Sequence, residues 1–544
     1  MAFSRLCSEP LFFITLLVLL SIPFQGNGLS PKKVGSTPRH LSEIIEIRSY
    51  TVTINGTSSI AQVSDNYVCA TLDYDFCNQA LGPCFGVRTN VLDLDLTNDI
   101  LINAVTALSP LLRLGGSKAD ELIYDINNNI NPCPSGSLCL TMHRWDQLNA
   151  FVQQTNARMV FGLNAMTGRM QNHSDPWNST NCEEFLEYTV NQGYNITGWE
   201  FGNEKVDNVN SANFSPSTYA QDVQELRSIL DEVYCDHHDL QKPLLIAPDA
   251  KFNATWFQEF IQLSGSGVVD RLSHHIYNLG KGDMVTPVHV EKEVFDGDYL
   301  NKEISVFQSL QDITNTYGPW AKPMVGESGG LSQGGGPGIS NTFVNSFWYL
   351  DQLAMAATFD TDIYCRQALV TGYYSLLDNT TFQPNPDYYA ALLWKQVMGR
   401  TVLSVAKPNE TDTSLRVYAH CSKQQTNSIT LLLINLSNNT QYFVDTTASI
   451  ASPARTMAKF RKQSNNLKFD SAQPRYEYHL TSPNDDPLSR TILLNGTPLE
   501  LQADNQIPTL LPIISNCSQP ISVLPVSIVF VTLPNVRAPA CTVS

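Results

Sequence analysis

The sequence predicts an α/β fold, a (β/α)8 barrel with a C-terminal β-sandwich that also takes an N-terminal strand. Three observations lead to this fold class. Between about residues 67 and 372, short apolar runs alternate with helical stretches. After Gly399 this alternation gives way to short β-rich runs separated by turn residues. The 544 residues are also long enough for roughly two to four domains.

The N-terminus has the pattern of a secretory signal peptide. Arg5 supplies a positive charge, Leu11–Phe24 is apolar, and Gly26 and Gly28 are small residues suited to cleavage. The apolar stretch is shorter than the ~20 residues that span a bilayer. We therefore expect residues 1–28 to be removed. The mature chain is expected to have no transmembrane segment and to be secreted, held in the cell wall or delivered to a vacuole, with peripheral membrane contact left open.

A strand-like segment precedes the barrel. It lies within residues 41–60, and Glu43–Ile54 is its β-rich part. This segment and the C-terminal region both flank the barrel in sequence. We therefore expect the strand to join the C-terminal sheet.

The barrel is expected over residues 64–398. Its strands are near-continuous apolar runs, which are typical of parallel strands buried on both faces. The eight runs are Tyr67–Leu72, Leu111–Gly115, Arg158–Leu163, Thr197–Phe201, Leu244–Ala247, Arg271–His275, Lys322–Val325 and Gln367–Gly372. Helix candidates between them are Trp145–Asn156, Ser217–Val233 and Thr342–Ala356. A doubly wound open sheet is the alternative, but the Gly-rich phosphate loop that usually follows its first strand is absent.

Residues 399–544 are expected to form the β-sandwich. The turn pairs Asn438-Asn439 and Asn495-Gly496 separate its short β-rich runs. These runs are Thr401–Val405, Leu415–His420, Ile429–Leu436, Tyr442–Val444, Arg475–His479, Thr491–Leu494 and Ser522–Thr532.

The charge balance excludes some partners. The 34 Lys and Arg residues against 51 Asp and Glu residues give a net charge of −17. Long-range attraction to nucleic acid is therefore disfavoured, and no nucleic-acid partner is expected. The oligomeric state is left open.

Asn-x-Ser/Thr sequons agree with a secretory route. Asn213 is disfavoured because Pro216 follows its Ser215. Glycosylation is expected at Asn55, Asn172, Asn178, Asn195, Asn253, Asn379, Asn409, Asn435, Asn438, Asn495 and Asn516.

Twelve cysteines are present, and Cys7 lies in the signal segment, so at least one of the remaining eleven is unpaired within a monomer. The pairs Cys77/Cys84 and Cys133/Cys139 are close enough in sequence to form local disulfides. No Cys/His grouping has metal-ligand spacing. We expect no metal and no cofactor.

Two glutamates stand at strand ends on opposite sides of the predicted barrel mouth, where barrel enzymes carry their catalytic groups. Glu204 follows the fourth strand in the run Trp-Glu-Phe-Gly-Asn-Glu, and Glu327 follows the seventh in Met-Val-Gly-Glu-Ser-Gly-Gly. Two carboxylates that flank one bond suit glycoside hydrolysis, and Asn203 can hydrogen-bond the sugar 2-hydroxyl.

These motifs resemble known glycosidases. Gly202-Asn203-Glu204 and Gly326-Glu327 are similar to clan A glycoside hydrolases, which use the fourth-strand Glu as acid/base and the seventh-strand Glu as nucleophile. Longer stretches resemble glycoside hydrolase family 79, the heparanases and heparanase-like β-glucuronidases, from the first barrel strand to the C-terminal Cys. These are Leu112–Lys118, His274–Tyr277, Tyr364–Gln367 and Pro384–Tyr389. The compact stretch between Asp125 and Arg144 is similar to plant-type members that lack an excised linker, so a single chain is expected.

The resemblance implies a set of binding residues. His275 and Tyr277 alternate on a strand, so a core position for one of them is the alternative. An extra residue after Glu327 leaves the register of the Gly334–Gly335 pair open. The implied substrate-binding residues are Asp73, Asn203, His275, Tyr277, Gly334, Gly335, Gln367, Gly372 and Tyr374. The resemblance also implies a Cys421–Cys541 disulfide, whereas Cys365, on a barrel strand, is expected to be a buried free thiol.

The sequence thus predicts a retaining β-glucuronidase that takes a glucuronide or a glucuronate-containing glycan. Glu327 is the expected nucleophile and Glu204 the expected acid/base, with the nearby Glu327 carboxylate raising the pKa of Glu204. The net charge of −17 favours action on terminal glucuronate over cleavage within sulfated chains. The alternatives are a heparanase-like endo-β-glucuronidase, a neutral β-glycosidase, or a secreted carbohydrate-binding protein with little activity.

Overall fold

The computed structural model describes residues 46–74, 90–128, 130, 132–169, 175–206, 214–449, 466–468, 473–536 and 538–542. The predicted signal segment, the Cys77/Cys84 pair and the sequon at Asn172 lie outside the described residues.

Strands and helices follow one another in the order that the sequence predicts. The strands are β1 Glu46–Gln62, β2 Val68–Leu72, β3 Leu111–Leu114, β4 Leu122–Asp125, β5 Leu138–Thr141, β6 Arg158–Leu163, β7 Gly198–Phe201, β8 Leu244–Lys251, β9 Arg271–Ile276, β10 Lys322–Ser328, β11 Ile363–Arg366, β12 Met398–Ala406, β13 Leu415–Ser422, β14 Ile429–Asn435, β15 Thr440–Ser449, β16 Asn466–Lys468, β17 Pro474–Thr481, β18 Leu493–Leu494, β19 Thr497–Pro498, β20 Ile513–Asn516, β21 Ile521–Val523 and β22 Ser527–Leu533. The helices are α1 Asp99–Leu108, α2 Met142–Gln154, α3 Thr180–Asn191, α4 Pro216–Val233, α5 Ala254–Ser264, α6 Pro287–Val294, α7 Gly297–Leu300, α8 Ile304–Tyr317, α9 Phe343–Thr358 and α10 Pro386–Val397.

Eight parallel strands close into a barrel in the order β2, β3, β6, β7, β8, β9, β10 and β11. Every residue of β2 and β3 is buried, as expected for strands covered on both faces. The (β/α)8 fold is confirmed. One boundary is wrong: the eighth strand is Ile363–Arg366, and the predicted run Gln367–Gly372 is a buried loop beyond it. Its apolar residues are buried against the barrel mouth rather than in the strand ladder.

The C-terminal strands form one twelve-stranded sheet, and β1 belongs to it. β1 pairs in parallel with β15 and antiparallel with β12, so the predicted N-terminal strand of the C-terminal sheet is confirmed. Alternate residues of β14 face different cores. Leu432 belongs to the core shared with the barrel, whereas Leu431 and Leu433 belong to a core within the sheet region. The predicted run Ser522–Thr532 is two strands, β21 and β22.

A buried ion pair joins this sheet to the barrel. Arg416 on β13 donates from Nε to Asp351 Oδ1 of α9 at 2.7 Å, and Tyr418 donates to the same oxygen at 2.7 Å. Arg416 also donates from Nη1 to the Asn301 side chain at 2.8 Å. One carboxylate therefore meets one guanidinium, and neutral groups fill the remaining hydrogen bonds.

Three disulfides lie in the described part of the chain. Cys421–Cys541 and Cys133–Cys139 are present. Cys365 is bonded to Cys69, so the expectation of a free Cys365 thiol was wrong. The reason is strand register: β2 and β11 are neighbours, and Cys69 lies directly opposite Cys365.

Burial argues against one predicted glycosylation site. The Asn435 side chain is fully buried, and its Nδ2 donates to the Thr440 and Leu524 carbonyls at 2.7 and 2.8 Å. A glycan on that nitrogen is incompatible with these contacts, so the structure argues against glycosylation at Asn435. Among the residues described, no helix combines the length and the apolar character that crossing a bilayer requires.

Candidate active site

A fully buried arginine forms the floor of the barrel mouth. Arg113 stands in the apolar strand β3, and its Nε and Nη2 donate to the Glu200 carboxylate at 2.8 and 2.7 Å. It also pairs with Asp249 of β8, and its Nη1 donates to Glu327 Oε1 at 2.9 Å. A buried charge persists only when it is paired. Strands β7, β8 and β10 therefore each supply one carboxylate to the same guanidinium.

Glu204 follows β7 in a sharply turned backbone. Gly202 and Glu204 both have positive φ, at 66° and 52°. Glycine suits that conformation at 202, whereas for a glutamate it is unusual and must be held by contacts. The Glu204 N–H donates to the Asp249 carbonyl at 3.0 Å, and Glu204 Oε1 lies 2.9 Å from His275 Nδ1. The Glu204 side chain keeps 22% exposure, so it lies at the edge of the mouth.

Glu327 lies deeper on β10, and its side chain is 7% exposed. Arg113 holds its Oε1, and the Tyr277 hydroxyl donates to its Oε2 at 2.6 Å. Donors to both oxygens fix the direction of the carboxylate.

The two predicted catalytic carboxylates face one another across His275. Oxygens of Glu204 and Glu327 and a ring nitrogen of His275 all lie within 4.8 Å of one another. This approach of one oxygen of Glu204 to one oxygen of Glu327 suits retaining glycosidases, whose carboxyl groups lie ~5–5.5 Å apart. The same three groups could surround a metal ion, but a metal there would first have to displace any proton on the His275 nitrogen.

The buried charges shift one another's pKa values. Burial opposes the charged form of His275, but the Asp249 and Glu327 carboxylates outweigh it and hold the pKa of His275 well above its usual value. Burial also opposes ionisation of Asp249, yet Arg113 and His275 hold its pKa well below the usual range. Burial raises the pKa of Glu200 to about 8, with Arg113 opposing and Asp249 adding to the rise. The centre therefore carries charged His275 beside ionised Asp249.

Further predicted binding residues lie on the same side of the barrel. Asn203 is almost fully buried; its Oδ1 accepts from Arg113 Nη2 at 2.9 Å, and its Nδ2 has no partner among the described residues. Gln367 Nε2 donates to Asp73 Oδ2 at 2.7 Å, and Gln367 Oε1 likewise has no described partner. Buried polar atoms without partners are rare, so each is suited to a ligand hydroxyl.

The glycine loops after β10 and β11 pack against each other. Tyr373 N donates to the Gly334 carbonyl at 2.6 Å. A Cβ at Gly372 would lie 2.7 Å from that carbonyl, and one at Gly335 would lie 2.9 Å from Tyr374 N. The predicted residues Gly334, Gly335, Gly372 and Tyr374 are thus neighbours, although Gly335 N already donates to the Ser332 carbonyl at 3.3 Å.

Two residues of the floor, Glu200 and Asp249, were missed by the sequence predictions. The sequence predictions include Arg113 only within the motif Leu112–Lys118 and give it no role of its own. An arginine inside an otherwise apolar strand is itself a signal that buried carboxylates must face it. Its partners lie 87, 136 and 214 residues away in sequence, so only the barrel closure identifies them.

The sequence of this chain is similar to that of known proteins over most of its length. Residues 49–354 match the model of the glycosyl hydrolase family 79 N-terminal domain. Heparanase-like protein 1 of Arabidopsis thaliana is 40% identical, over 91% of this chain and 95% of its own length. The baicalin β-D-glucuronidase of Scutellaria baicalensis is 36% identical, over 87% of this chain and 90% of its own.

Among solved structures, a 4-O-α-L-rhamnosyl-β-D-glucuronidase from Fusarium oxysporum superposes with a TM-score of 0.60 and 15% identity. The superposition covers 89% of this chain and 100% of the Fusarium oxysporum chain. At this identity the likeness concerns the fold alone.

Proposed function

This chain belongs to glycosyl hydrolase family 79 and is a glycoside hydrolase of the glucuronidase type, and we propose that it is a retaining β-glucuronidase. It removes terminal β-linked glucuronic acid from small glucuronides or glycan chains. The observation that carries this proposal is the approach of Glu204 and Glu327 to within 4.8 Å, with Glu327 held by Arg113 and Tyr277. That separation suits a direct attack by one carboxylate on the sugar.

The reaction runs in two displacements. Glu327 attacks the anomeric carbon, the glycosidic bond breaks, and Glu204 gives its proton to the leaving oxygen. Glu204 then takes a proton from water, the water oxygen attacks the same carbon, and the Glu327 ester is released as a carboxylate. Each step inverts the anomeric centre, so the product keeps the β configuration. Glu327 is buried and accepts hydrogen bonds at both oxygens, which suits the role of nucleophile. Glu204 is more exposed, which suits the role of proton donor to the departing aglycone.

A uronate substrate brings another negative charge to a centre rich in carboxylates. Arg113 already binds the carboxylates of Glu200, Asp249 and Glu327 and the amide oxygen of Asn203, so a different group must bind the sugar acid. We propose that the Gly334 and Gly372 N–H groups and the Tyr374 hydroxyl bind it, because converging N–H groups form an anion-binding concavity. The contact between the two glycine loops supports this assignment.

Action on chain ends, rather than within sulfated chains, is supported by charge. Two lysines that lie just past barrel strands are already neutralised: Lys118 pairs with Glu121 at 2.6 Å, and Lys205 with Asp120 at 3.2 Å. The net charge of −17 also disfavours long-range attraction of a sulfated polymer.

We also propose that the protein works along the secretory route, outside the cell or in a vacuole. The disulfides in the described residues suit an oxidising compartment.

Hydrolysis of 4-nitrophenyl β-glucuronide and 4-nitrophenyl β-glucoside by the purified protein tests the proposal. We expect the glucuronide to be preferred by at least tenfold in kcat/KM. Preference for the glucoside would assign the chain to the neutral β-glycosidases, and cleavage confined to internal bonds of a polymer would assign it to the endo-acting class. No hydrolysis of any of these would leave only a carbohydrate-binding role.

A further inference from the structure

Asp249 occupies an unusual position for a residue outside the predicted catalytic pair. It is fully buried at the mouth end of β8 and has a positive φ of 52°. A non-glycine residue in that backbone conformation costs energy and persists only when its surroundings fix it. The contacts of Asp249 with Glu204 and His275 hold it in this conformation.

Asp249 contacts both halves of the catalytic centre. Its backbone carbonyl accepts the Glu204 N–H at 3.0 Å, and its Oδ2 lies 2.9 Å from His275 Nε2. The opposite ring nitrogen of His275, Nδ1, lies 2.9 Å from Glu204 Oε1. Asp249 thus holds the backbone of Glu204 directly and reaches its side chain through an ion-pair contact with His275.

The neighbouring sequence makes room for this carboxylate. Ser273 donates to Asp249 Oδ1 at 2.5 Å. A Cβ on Gly326 would lie 1.7 Å from the same oxygen, so only glycine fits in front of Glu327. The Gly-Glu motif of the seventh strand is therefore shaped by Asp249.

The groups around His275 come from five strands or the loops that follow them. Asp249 and Glu327 face it as carboxylates from β8 and β10, and Glu204 faces it from the loop after β7. Arg113 on β3 and Glu200 on β7 lie behind Asp249. The adjacent His274 on β9 brings no charge, because burial lowers its pKa to about 4. Tyr277, in the loop that follows β9, donates to Glu327. The nearby Asp249 and Glu327 carboxylates favour charged His275.

We propose that Asp249 is a positioning residue that keeps His275 as an imidazolium, so that the His275 Nδ1–H occupies Oε1 of Glu204 and leaves only Oε2 to carry the catalytic proton. This inference deepens the proposed function and rests on it. Charged His275 keeps both ring protons through the reaction. The proton on Glu204 Oε2 passes to the leaving oxygen, and a proton from water returns to Oε2 in the second step.

Replacing the Asp249 carboxylate with an amide reverses this arrangement. Without the anion, His275 loses a proton within the working pH range, and a ring proton kept on Nε2 makes Nδ1 an acceptor. Nδ1 then draws the proton of Glu204 away from the leaving group. The general-acid step weakens, whereas attack by Glu327 is less affected.

The kinetic test compares Asp249→Asn with Asp120→Asn. Asp120 is a matched control because it is also a buried carboxylate at the mouth, but it holds the Asn203 N–H and Lys205 rather than His275. In Asp249→Asn we expect kcat/KM to fall ~10-fold on 4-nitrophenyl glucuronide and ~100-fold on a glucuronide of an unactivated phenol. The alkaline limb of its pH profile should move at least one unit toward acid. Asp120→Asn should lower kcat/KM equally for both substrates and leave the alkaline limb of the pH profile unchanged. Equal losses and an unmoved limb in Asp249→Asn would overturn the proposal.

A second measurement does not depend on turnover or on the variant folding. The ¹⁵N shifts of the histidine rings in the substrate-free wild-type protein, assigned with His275→Gln, should show His275 still charged well above the usual histidine value of pH ~6.5. In folded Asp249→Asn the same ring should lose its proton at a lower pH than in the wild type. A wild-type His275 that titrates near pH ~6.5 would contradict the inference. If no glucuronide is hydrolysed, the proposed function fails, while this measurement still decides the state of His275.

Discussion

Two buried arginines of this molecule, Arg416 and Arg113, differ in the number of carboxylates that surround them. Among the described residues, Arg416, where the sheet meets the barrel, pairs with Asp351 alone, and Tyr418 and Asn301 complete its hydrogen bonds. Arg113, at the barrel mouth, is shared by Glu200, Asp249 and Glu327. The first cluster is neutral and satisfied, as a structural contact should be. The second holds more carboxylates than cations, which is costly for stability and useful for moving protons.

The largest effect is expected when the nucleophile Glu327 is removed from the cluster around Arg113. Glu327→Ala should lower turnover of 4-nitrophenyl β-glucuronide by a factor on the order of 10⁴ or more, because no other carboxylate can form the ester. Added azide should restore some reaction and give the glycosyl azide of inverted configuration, seen by NMR. Full activity in this variant would remove Glu327 from the reaction.

Glu204→Ala should separate substrates by their leaving groups. Glucuronides of unactivated phenols need the proton and should slow by ~10²–10⁴-fold, whereas 4-nitrophenyl glucuronide should be much less affected in the first step. Steady-state and burst kinetics distinguish the two steps. The same loss on both substrates would contradict the acid assignment.

Removing the Tyr374 hydroxyl should affect only the charged substrate strongly. A hydrogen bond to a charged acceptor is worth ~1.5–3 kcal/mol, so Tyr374→Phe should lower kcat/KM for the glucuronide by roughly ten- to a hundredfold. The β-glucoside lacks the carboxylate and serves as the control. If both substrates lose equally, Tyr374 is structural and the proposed uronate site loses its main support.

The neutral cluster should respond in stability rather than in catalysis. Arg416→Met leaves Asp351 buried without its cation, and breaking a buried pair in this way costs ~3–5 kcal/mol. Calorimetry should show a lower Tm, with kcat per folded molecule unchanged within about twofold. A large fall in kcat well below the new Tm would show that the two clusters are coupled.

The charge on His275 should appear in the pH dependence of stability. Its pKa is higher in the folded than in the unfolded chain. The stability it adds is fully present below pH ~6.5, the unfolded value, and is lost as pH rises through the folded value, by up to ~1.4 kcal/mol per pH unit. Denaturant titrations between pH 6 and pH 9 should show this slope in the wild type and a smaller one in His275→Gln. Equal slopes would place the proton elsewhere.

The smallest effect concerns a polyanion. The protein should be weakly retained on immobilised heparin at physiological salt, because the net charge is −17 and Lys118 and Lys205 are paired. Elution well above that salt would reveal a basic surface and favour endo action on sulfated chains.

The sequence predicted what depends on local patterns. Apolar runs identified most barrel strands, and the Glu204 and Glu327 motifs stood at strand ends because that position is set by the strand itself. The choice between strand and buried loop at Gln367–Gly372 could not be made from apolarity, since both are buried. The partners of Arg113 and the Cys69–Cys365 bond depend on which strands become neighbours when the barrel closes. The roles of the site residues stay predictions that kinetics must test.

The most direct test of the central claim is to trap the sugar on the enzyme. A 2-deoxy-2-fluoro-β-glucuronyl fluoride slows both steps but keeps a good leaving group, so a glycosyl ester should accumulate and inactivate the protein. Mass spectrometry of the digested protein should find one added sugar on the peptide that contains Glu327. A label on any other residue, or turnover through free α-glucuronate with no ester, would contradict the retaining mechanism with Glu327 as its nucleophile.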